Sequence, residues 1–296
     1  MIRLGTRGSA LALAQARFVA ERLPGEVRVV EITTSGDRGS RADKSRFVKE
    51  IEEALLAAEV DLAVHSAKDV PGELPEGLSI AGVPAREDPL DALCGAASLD
   101  ALPEGAAVGT ASVRRRAQLL ALRPDLEVRD LRGNVDTRLR RLADGDFEAI
   151  VLARAGLARL ESSDEGSALA ELVPAPGQGC LVLEARSGDE AARDAAALLT
   201  DGGALTALTA ERAVVTALGA TCHTPIGAYA RREDGALRLT AFVGLPDGSH
   251  WIRDELDGDI ADPAALGDEV ARRLEAAGAG DVLAEAERAA GPAHGG

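Results

Sequence analysis

The chain has 296 residues, of which 46% are hydrophobic and 28% are charged, and this predicts a soluble protein of roughly two or three domains. Its formal net charge of −16 opposes binding to nucleic acid and to anionic membranes, and no apolar run is long enough to span a bilayer. The three widely spaced cysteines form no disulfide framework, and the four histidines lack the spacing of metal ligands. We therefore expect a cytoplasmic protein with no structural metal.

The first half of the chain contains two similar series of strands and helices. The first series predicts strands at 2–6, 27–32 and 61–66 and helices at 10–23 and 47–58. The second predicts strands at 106–110, 127–131 and 148–153 and helices at 113–122 and 135–145. Because strands that alternate with helices form parallel βαβ units, we predict two similar α/β domains. The Pro- and charge-rich segment 84–91 is the predicted hinge between them.

The last third of the chain has a different pattern. A helix at 205–218 is followed by a loop that contains Cys222. Strands are predicted at 226–232, 237–244 and 249–256, with the turns 233–235 and 246–248 between them, and a helix follows at 263–278. This order predicts a small antiparallel sheet with helices, and the tail 289–296 is predicted to be disordered.

Ser9 and Ser112 begin helices in corresponding places, each after a strand and a Gly-Thr pair. The free N–H groups of a helix N-terminus favour an anion, and open α/β sheets bind ligands at this edge. The alternative is that both serines only cap their helices.

Arginines are concentrated between residues 112 and 141, a segment with nine arginines and only four acidic residues. Guanidinium groups bind carboxylates through paired hydrogen bonds, so a ligand with several carboxylates suits this region. For Arg116, Arg140 and Arg141 a solvated, salt-bridged helix face is the preferred interpretation. An anion site is preferred for Arg7, Arg114, Arg115, Arg132 and Arg138.

Two further candidates lie in loops. The stretch VHSAKDVP (64–71) places Lys68 and Asp69 at the end of an apolar strand, where a carboxylate among arginines would stay ionised and could move protons; an Asx-type turn is the alternative.

Cys222 lies in a loop of small residues, where a lone cysteine is more often inert than reactive.

Taken together, these and neighbouring stretches resemble the porphobilinogen deaminase family over roughly residues 2–285. The matching stretches are TRGSALALAQ (6–15), FVKEIEEALL (47–56), VHSAKDVP (64–71), REDPLDAL (86–93), GTASVRRRAQL (109–119), LRGNVDTRL (131–139), PGQG (176–179), TAERA (209–213) and CHTPIGAYA (222–230). The resemblance is specific because the stretches are long and follow the order of the family.

The resemblance implies a transferase of porphyrin and haem biosynthesis. It implies that four molecules of porphobilinogen, the substrate, are deaminated and joined head to tail, and that hydrolysis then releases 1-hydroxymethylbilane. It also implies a dipyrromethane cofactor, attached through a thioether to Cys222, that acts as the primer. A thioether resists thiol exchange in a reducing cytoplasm.

The same resemblance implies the residues of the site. Asp69 matches the catalytic aspartate of the family. The residues implied to bind cofactor or substrate are Arg7, Ser9, Lys44, Ser66, Lys68, Thr110, Ser112, Arg114, Arg115, Arg132, Arg138 and Gln178.

The fold implied by the family is α/β, with two similar periplasmic-binding-protein-like lobes around a cleft and a small C-terminal α/β domain with an antiparallel three-stranded sheet. We expect domain 1 at 1–84 with 180–197, domain 2 at 90–173, domain 3 at 202–288 and a disordered tail at 289–296. We also expect a monomer.

The chain departs from the family in three places. Glycines are missing beside Lys44, Asp136 adds a negative charge close to the anion site, and Ala220 and Thr221 replace the usual glycines before the cysteine. These changes leave every residue with an implied chemical role in place.

Two other classes of function remain open from the residues alone. A non-catalytic anion-binding protein would use the arginines but leave Cys222 without a role. A cysteine hydrolase that uses Cys222 and His223 would be inactivated by thiol alkylation, although adjacent residues in an extended segment point in opposite directions.

Overall fold

The computed structural model describes residues 1–34, 48–220 and 224–290. Its contacts divide the chain into two compact units. The first unit is Met1–Asp88 with Gly177–Thr206, and the second is Pro89–Pro176 with Ala207–Gly296. The finer division into three domains, and the hinge at 84–91, stay predictions.

The described residues form strands and helices in the following order. The strands are β1 Ile2–Arg7, β2 Val27–Ile32, β3 Leu62–Ser66, β4 Leu78–Gly82, β5 Asp91–Cys94, β6 Ala107–Gly109, β7 Glu127–Arg129, β8 Ala149–Ala153, β9 Ser167–Leu169, β10 Leu181–Arg186, β11 Ile226–Glu233, β12 Ala236–Gly244 and β13 Trp251–Gly258. The helices are α1 Ala10–Ala20, α2 Lys49–Leu56, α3 Val113–Leu122, α4 Val135–Ala143, α5 Arg154–Arg159, α6 Glu190–Ala197, α7 Gly202–Ala217, α8 Pro263–Ala276 and α9 Ala279–Ala290. Short 3-10 turns lie at Ala67–Asp69 and Ser163–Glu165.

The first unit is built on a five-stranded sheet in the order β2-β1-β3-β10-β4. Strand β1 runs parallel to β2 and β3, which confirms the predicted βαβ units, whereas β10 is antiparallel to both β3 and β4. The predicted alternation did not include β10, because this strand comes from a segment far along the chain.

The second unit contains a sheet with the corresponding arrangement, in the order β7-β6-β8-β5-β9. Strand β6 is parallel to β7 and β8, and β5 is antiparallel to β8 and β9. In each sheet the first strand of a βαβ series lies between the second and the third, and the fourth position holds an antiparallel strand. The predicted similarity of the two α/β regions is confirmed, but the sheets are mixed and not purely parallel.

Alternating side chains of the first sheet pack on two layers. Leu4, Leu62 and Val64 join the core on the α1 side, whereas Ala63 joins α2 on the opposite side. This alternation follows from the period of two in a β-strand, and it places neighbouring residues of β3 in different surroundings.

The second unit also contains the predicted three-stranded antiparallel sheet, in the order β11-β12-β13. Helix α8 begins at Pro263 behind the N-cap Asp262, as the sequence predicts, and it buries Leu266 and Val270 against the sheet. The α/β fold class is therefore confirmed.

Two smaller predictions concern the C-terminal tail and membrane spans. Residues 289 and 290, assigned to the disordered tail, are the last residues of α9, and residues 291–296 lie outside the described ranges. In the part of the chain that the structure describes, no helix is long and apolar enough to cross a membrane.

Candidate active site

Several predicted site residues of the first unit lie at one edge of its sheet. Arg7 is the last residue of β1 and Ser66 is the last residue of β3, and these two strands are parallel neighbours. Ser9 caps α1, and its Oγ accepts a hydrogen bond from the N–H of Ala12 at 3.3 Å. The structure thus shows Ser9 in the capping role, at the sheet edge where ligands bind in α/β folds.

The turn Ala67–Asp69 follows β3 at once and carries Lys68. The Lys68 Nζ donates to Oε1 of Gln178 at 3.3 Å, and Gln178 is buried. The Gln178 carbonyl in turn accepts from Nε of Arg86 at 2.9 Å. The fold therefore brings together Lys68 and Gln178, two predicted site residues that are more than a hundred positions apart in the sequence.

Asp69 is half-buried, and among the described residues its carboxylate makes no recorded hydrogen bond or ion pair. The alternative of an Asx turn fails for a covalent reason. Such a turn requires the N–H of the residue two positions on, which is Pro71 and has none. Within the described ranges, the Asp69 carboxylate therefore has no hydrogen-bond partner that would compete with a ligand.

Gln15, which the sequence analysis missed, links α1 to the end of β3. Its Nε2 donates to Oγ of Ser66 at 3.0 Å, and its side chain is buried. The available signal in the sequence was the place of Gln15 in the TRGSALALAQ stretch. Its burial is visible in the structure, where a buried amide needs a specific hydrogen-bond partner.

The second unit repeats this arrangement at the end of β6. Ser112 caps α3, and its Oγ accepts from the N–H of Arg115 at 3.4 Å. Thr110 is buried, and its Oγ1 accepts from the N–H of Ser112 at 3.2 Å. Arg132 follows β7, the parallel neighbour of β6, so it lies at the same edge of the sheet.

Arg114 and Arg115 point into the protein and share one carboxylate. Asp91 is fully buried, and its Oδ2 lies 2.8 Å from Nη2 of Arg114. Its Oδ1 lies 2.7 Å from Nη2 of Arg115. Arg114 also donates to the carbonyl of Val173, and Arg115 to that of Val151. Asp91 is thus a residue of the site region that the sequence analysis missed, although it stands within the REDPLDAL stretch.

Arg138 lies in a field of like charges. Its Nε donates to the carbonyl of Gly133 at 2.7 Å. Burial, and then the neighbouring charges of Arg115 and Arg132, lower the pKa of Arg138 to about 10. Arg115 shares Asp91 with Arg114, and Nη2 of Arg132 lies 3.4 Å from Oδ2 of Asp130, so these guanidinium groups outnumber their carboxylate partners. A bound anion would stabilise such a group, which makes it the strongest sign of an anion site in the second unit.

The three arginines for which a solvated helix face was preferred differ among themselves. Arg141 forms the expected exposed ion pair, with its Nε 2.7 Å from Oδ2 of Asp146. Arg116 donates instead to the carbonyl of Val128, and Arg140 contacts the hydroxyl of Thr137 at 3.5 Å. The Asp136 side chain is exposed.

Lys44, Cys222 and His223 lie outside the described residues, so their roles remain predictions. Cys94 and Cys180 are buried, and burial raises the pKa of the Cys94 thiol to about 11. Within the described ranges, no group of three His, Cys, Asp or Glu side chains could hold a metal ion.

A buried cluster of three ionisable residues lies in the first unit, and we call it the His65 cluster. It consists of His65 on β3, Glu184 on β10 and Glu52 on α2, whose exposed fractions are 6%, 1% and 8%. The His65 Nε2 lies 3.2 Å from Oε2 of Glu184. Burial, and then the charge of Glu184, raise the pKa of Glu52 to about 7, while His65 acts to lower it.

This shift predicts a pH-dependent loss of stability. Because the folded-state pKa of Glu52 is above its unfolded value, the protonated form favours folding and its contribution is lost as the pH rises through about 7. The free energy of unfolding should fall by at most about 3 kcal/mol between roughly pH 5 and 8. Urea titrations at several pH values measure this, and Glu52→Gln should flatten that part of the curve. The exposed control Glu59→Gln should retain the wild-type slope, and equal slopes for all three proteins would contradict the assignment.

Two protein-family models match the chain. The model described as "Porphobilinogen deaminase, dipyromethane cofactor binding domain" matches residues 2–194, and the one described as "Porphobilinogen deaminase, C-terminal domain" matches residues 205–276.

Similar curated proteins cover nearly the whole chain. The porphobilinogen deaminase of Thermus thermophilus is 50% identical over 96% of this chain and 99% of its own length. That of Deinococcus radiodurans is 46% identical over 95% of this chain and 97% of its own length. Among solved structures, YhfZ of Shigella flexneri is 18% identical, with a TM-score of 0.39, over 73% of this chain and 95% of that chain. That structural similarity is low, so the fold class rests on the strand orders given above.

Proposed function

We propose roles for individual residues from the premise that this chain belongs to the porphobilinogen deaminase family. The protein is a transferase that deaminates and condenses four porphobilinogen molecules on a dipyrromethane primer and releases 1-hydroxymethylbilane for tetrapyrrole biosynthesis. What remains to be assigned is which side chains bind the carboxylates, which one handles the proton and where the primer is attached.

The cationic group around Arg138 is the single observation that carries the proposed binding site. Each pyrrole ring of substrate and primer carries an acetate and a propionate. Burial, and then the like charges of Arg115 and Arg132, already depress the pKa of Arg138, so a carboxylate placed among these groups lowers the energy of the whole group. The residues present therefore fit a polycarboxylate such as dipyrromethane.

We assign the binding residues by their place in the two units. In the second unit Thr110 and Ser112 offer groups at the N-terminus of α3, while Arg132 and Arg138 supply direct charge. Arg114 and Arg115 are paired with Asp91, so their part is to carry positive potential and to keep α3 in position. The proposed residues of the first unit are Arg7, Ser9, Ser66, Lys68 and Gln178, and Lys44 is included from the sequence alone.

Asp69 is the proposed catalytic residue. Each addition breaks a C–N bond and forms a C–C bond, and the nitrogen leaves as ammonia with the hydrogen that the attacking α-carbon loses. The bound dipyrromethane supplies the first such α-carbon. Asp69 forms no hydrogen bond or ion pair with the described residues and lies beside Lys68. Such a carboxylate is suited to accept hydrogen bonds from pyrrole N–H groups, to stabilise positive charge and to move that proton.

We expect the primer to be attached to Cys222. Purified protein should carry extra covalent mass that corresponds to two linked pyrroles, and Cys222→Ser should lack it, because a hydroxyl is a far weaker nucleophile than a thiolate. Intact-mass spectrometry before and after incubation with porphobilinogen measures this, and Cys180→Ala serves as the cysteine control. A dipyrromethane found on another residue would refute the attachment, and protein that stays unmodified would favour a non-catalytic anion-binding role.

We further propose that the protein acts as a monomer in the cytoplasm and binds neither nucleic acid nor membranes. The net charge of −16 supports the absence of nucleic-acid and membrane partners, because such a charge repels polyanions and anionic lipid surfaces. Sedimentation of the loaded enzyme at several concentrations tests the monomer.

A further inference from the structure

The C-terminal half of β3 pairs with more residues of β10 than of β1. Strand β1 pairs with β3 only at Leu62 and Ala63, whereas β10 pairs with it from Leu62 to Ser66. Among the described residues, the last part of β3 therefore depends on β10 and on side-chain contacts. This part matters because the turn that carries Lys68 and Asp69 begins at the next residue.

Side chains on opposite faces hold the end of this strand. Ser66 faces α1, where Gln15 donates to its hydroxyl at 3.0 Å. His65, the preceding residue, faces the other side, where its Nε2 lies 3.2 Å from the Glu184 carboxylate. Asp69 follows His65 by only four positions, so His65 lies next to the strand end from which the turn begins.

The His65 cluster is not explained by stability. Four of its buried atoms have no hydrogen-bond partner among the described residues: Nε2 of His65, both carboxylate oxygens of Glu184, and Oε1 of Glu52. A partly satisfied buried polar network costs free energy, and apolar side chains of similar size are often more stabilising. Its presence therefore indicates a role other than folding.

Other charged groups surround the cluster on this face. Arg186 lies two residues beyond Glu184 on β10 and donates to the carbonyls of Leu55 and Val60. The remaining charged residues on this face of β1 and on α2 are Arg3, which is paired with Asp61, Arg7, Glu50, and Lys49, which is paired with Glu53. Of these groups, Glu53 acts on Glu52 in the same direction as Glu184, although more weakly. Within the cluster, only His65 favours the ionised form of Glu52.

We propose that the buried contact between His65 and Glu184, together with ionised Glu52, fixes the turn Ala67–Asp69 in the position that turnover requires. His65, Glu184 and Glu52 are then positioning residues that act through Asp69, and the inference rests on the role of Asp69 proposed above. Ionisation of Glu52 lowers stability and improves positioning, which is the common trade-off between stability and activity.

The proposal predicts that two variants shift one step in the pH profile of kcat in opposite directions. In the primer-loaded enzyme, kcat should rise as the pH rises through about 7, the range in which Glu52 ionises. Glu184→Gln removes a charge that opposes ionisation, so the step should move to lower pH. His65→Gln removes the charge that favours ionisation, so the step should move to higher pH. In both variants the plateau kcat should fall about ten-fold, while KM changes less than about two-fold and the primer mass is normal.

Two further variants make the result decisive. Glu52→Gln should abolish the step, and it can be measured even if another variant folds poorly, because it removes the ionisation that destabilises the fold. The control His250→Gln changes an exposed histidine of the second unit and should leave the profile as it is. A step that persists in Glu52→Gln, or profiles of Glu184→Gln and His65→Gln that differ from the wild type only in height, would overturn the proposal. If Asp69→Asn keeps its turnover, the role of Asp69 fails instead, whatever the profiles show.

Discussion

Asp69→Asn should carry a normal dipyrromethane primer and lose at least about 100-fold in kcat. The replacement keeps the size of the side chain but removes the charge and the basic oxygen, and removal of a general acid–base group typically costs 10²–10⁴-fold, about the range for loss of electrostatic stabilisation as well. Because Asp69 forms no hydrogen bond or ion pair with the described residues, the loss would not come from a broken polar contact to them. Rates of porphobilinogen consumption and the intact mass of the protein measure the two parts of this expectation.

Two controls separate chemistry from structure in this experiment. Asp100→Asn changes an exposed aspartate of the second unit and should have wild-type kcat. Thermal unfolding of Asp69→Asn should match the wild type, since a half-buried carboxylate that has no hydrogen bond or ion pair with the described residues adds little to stability. Tetrapyrrole formation at a near-normal rate would remove Asp69 from the mechanism. An unloaded variant would mean that Asp69 acts in primer assembly before turnover.

Local patterns predicted much of the fold, and long-range pairings explain most of the rest. Strand β1 and helix α3 were placed within one residue at most because alternation, a Gly-Thr turn and an N-cap serine are encoded in neighbouring residues. Strands β5 and β10 were not predicted, because each enters its sheet antiparallel and from a segment outside the repeating series. No periodicity within a short segment states which distant strand it will pair with.

The residues proposed for the site differ in how far the sequence points to them, for a related reason. Residues proposed to contact the ligand directly, such as Asp69 and Arg138, belong to long family stretches and stand out by type and charge. Buried partners such as Asp91 and His65 stand in those same stretches, but their importance lies in contacts with β8, α3 or β10 that only the folded chain displays. Arg115 shows the consequence: its charge suggested a ligand contact, whereas two of its nitrogens are held by Asp91.

The buried carboxylate of Asp91 leads to the largest expected effect on stability. It is fully buried and pairs at 2.7–2.8 Å with both Arg114 and Arg115, which are themselves buried. Burial lowers the pKa of Arg114, and Asp91 is the neighbour that opposes this shift. Asp91→Asn would leave two guanidinium groups in the interior without a counter-charge, and removal of one partner of a buried ion pair costs about 3–5 kcal/mol. Urea unfolding of the second unit, followed through Trp251, measures the loss.

The matched control for this variant is Asp146→Asn, which breaks the exposed pair with Arg141 and should cost at most about 1 kcal/mol. A second comparison tests the reason for the loss. In Asp91→Asn combined with Arg114→Met and Arg115→Met, no uncompensated charge remains, so much of the stability should return while primer loading does not. If Asp91→Asn alone were as stable as Asp146→Asn, the two arginines would not depend on this carboxylate. They would then be free to turn toward a ligand anion, and the binding roles proposed for them and for Arg138 would have to be exchanged.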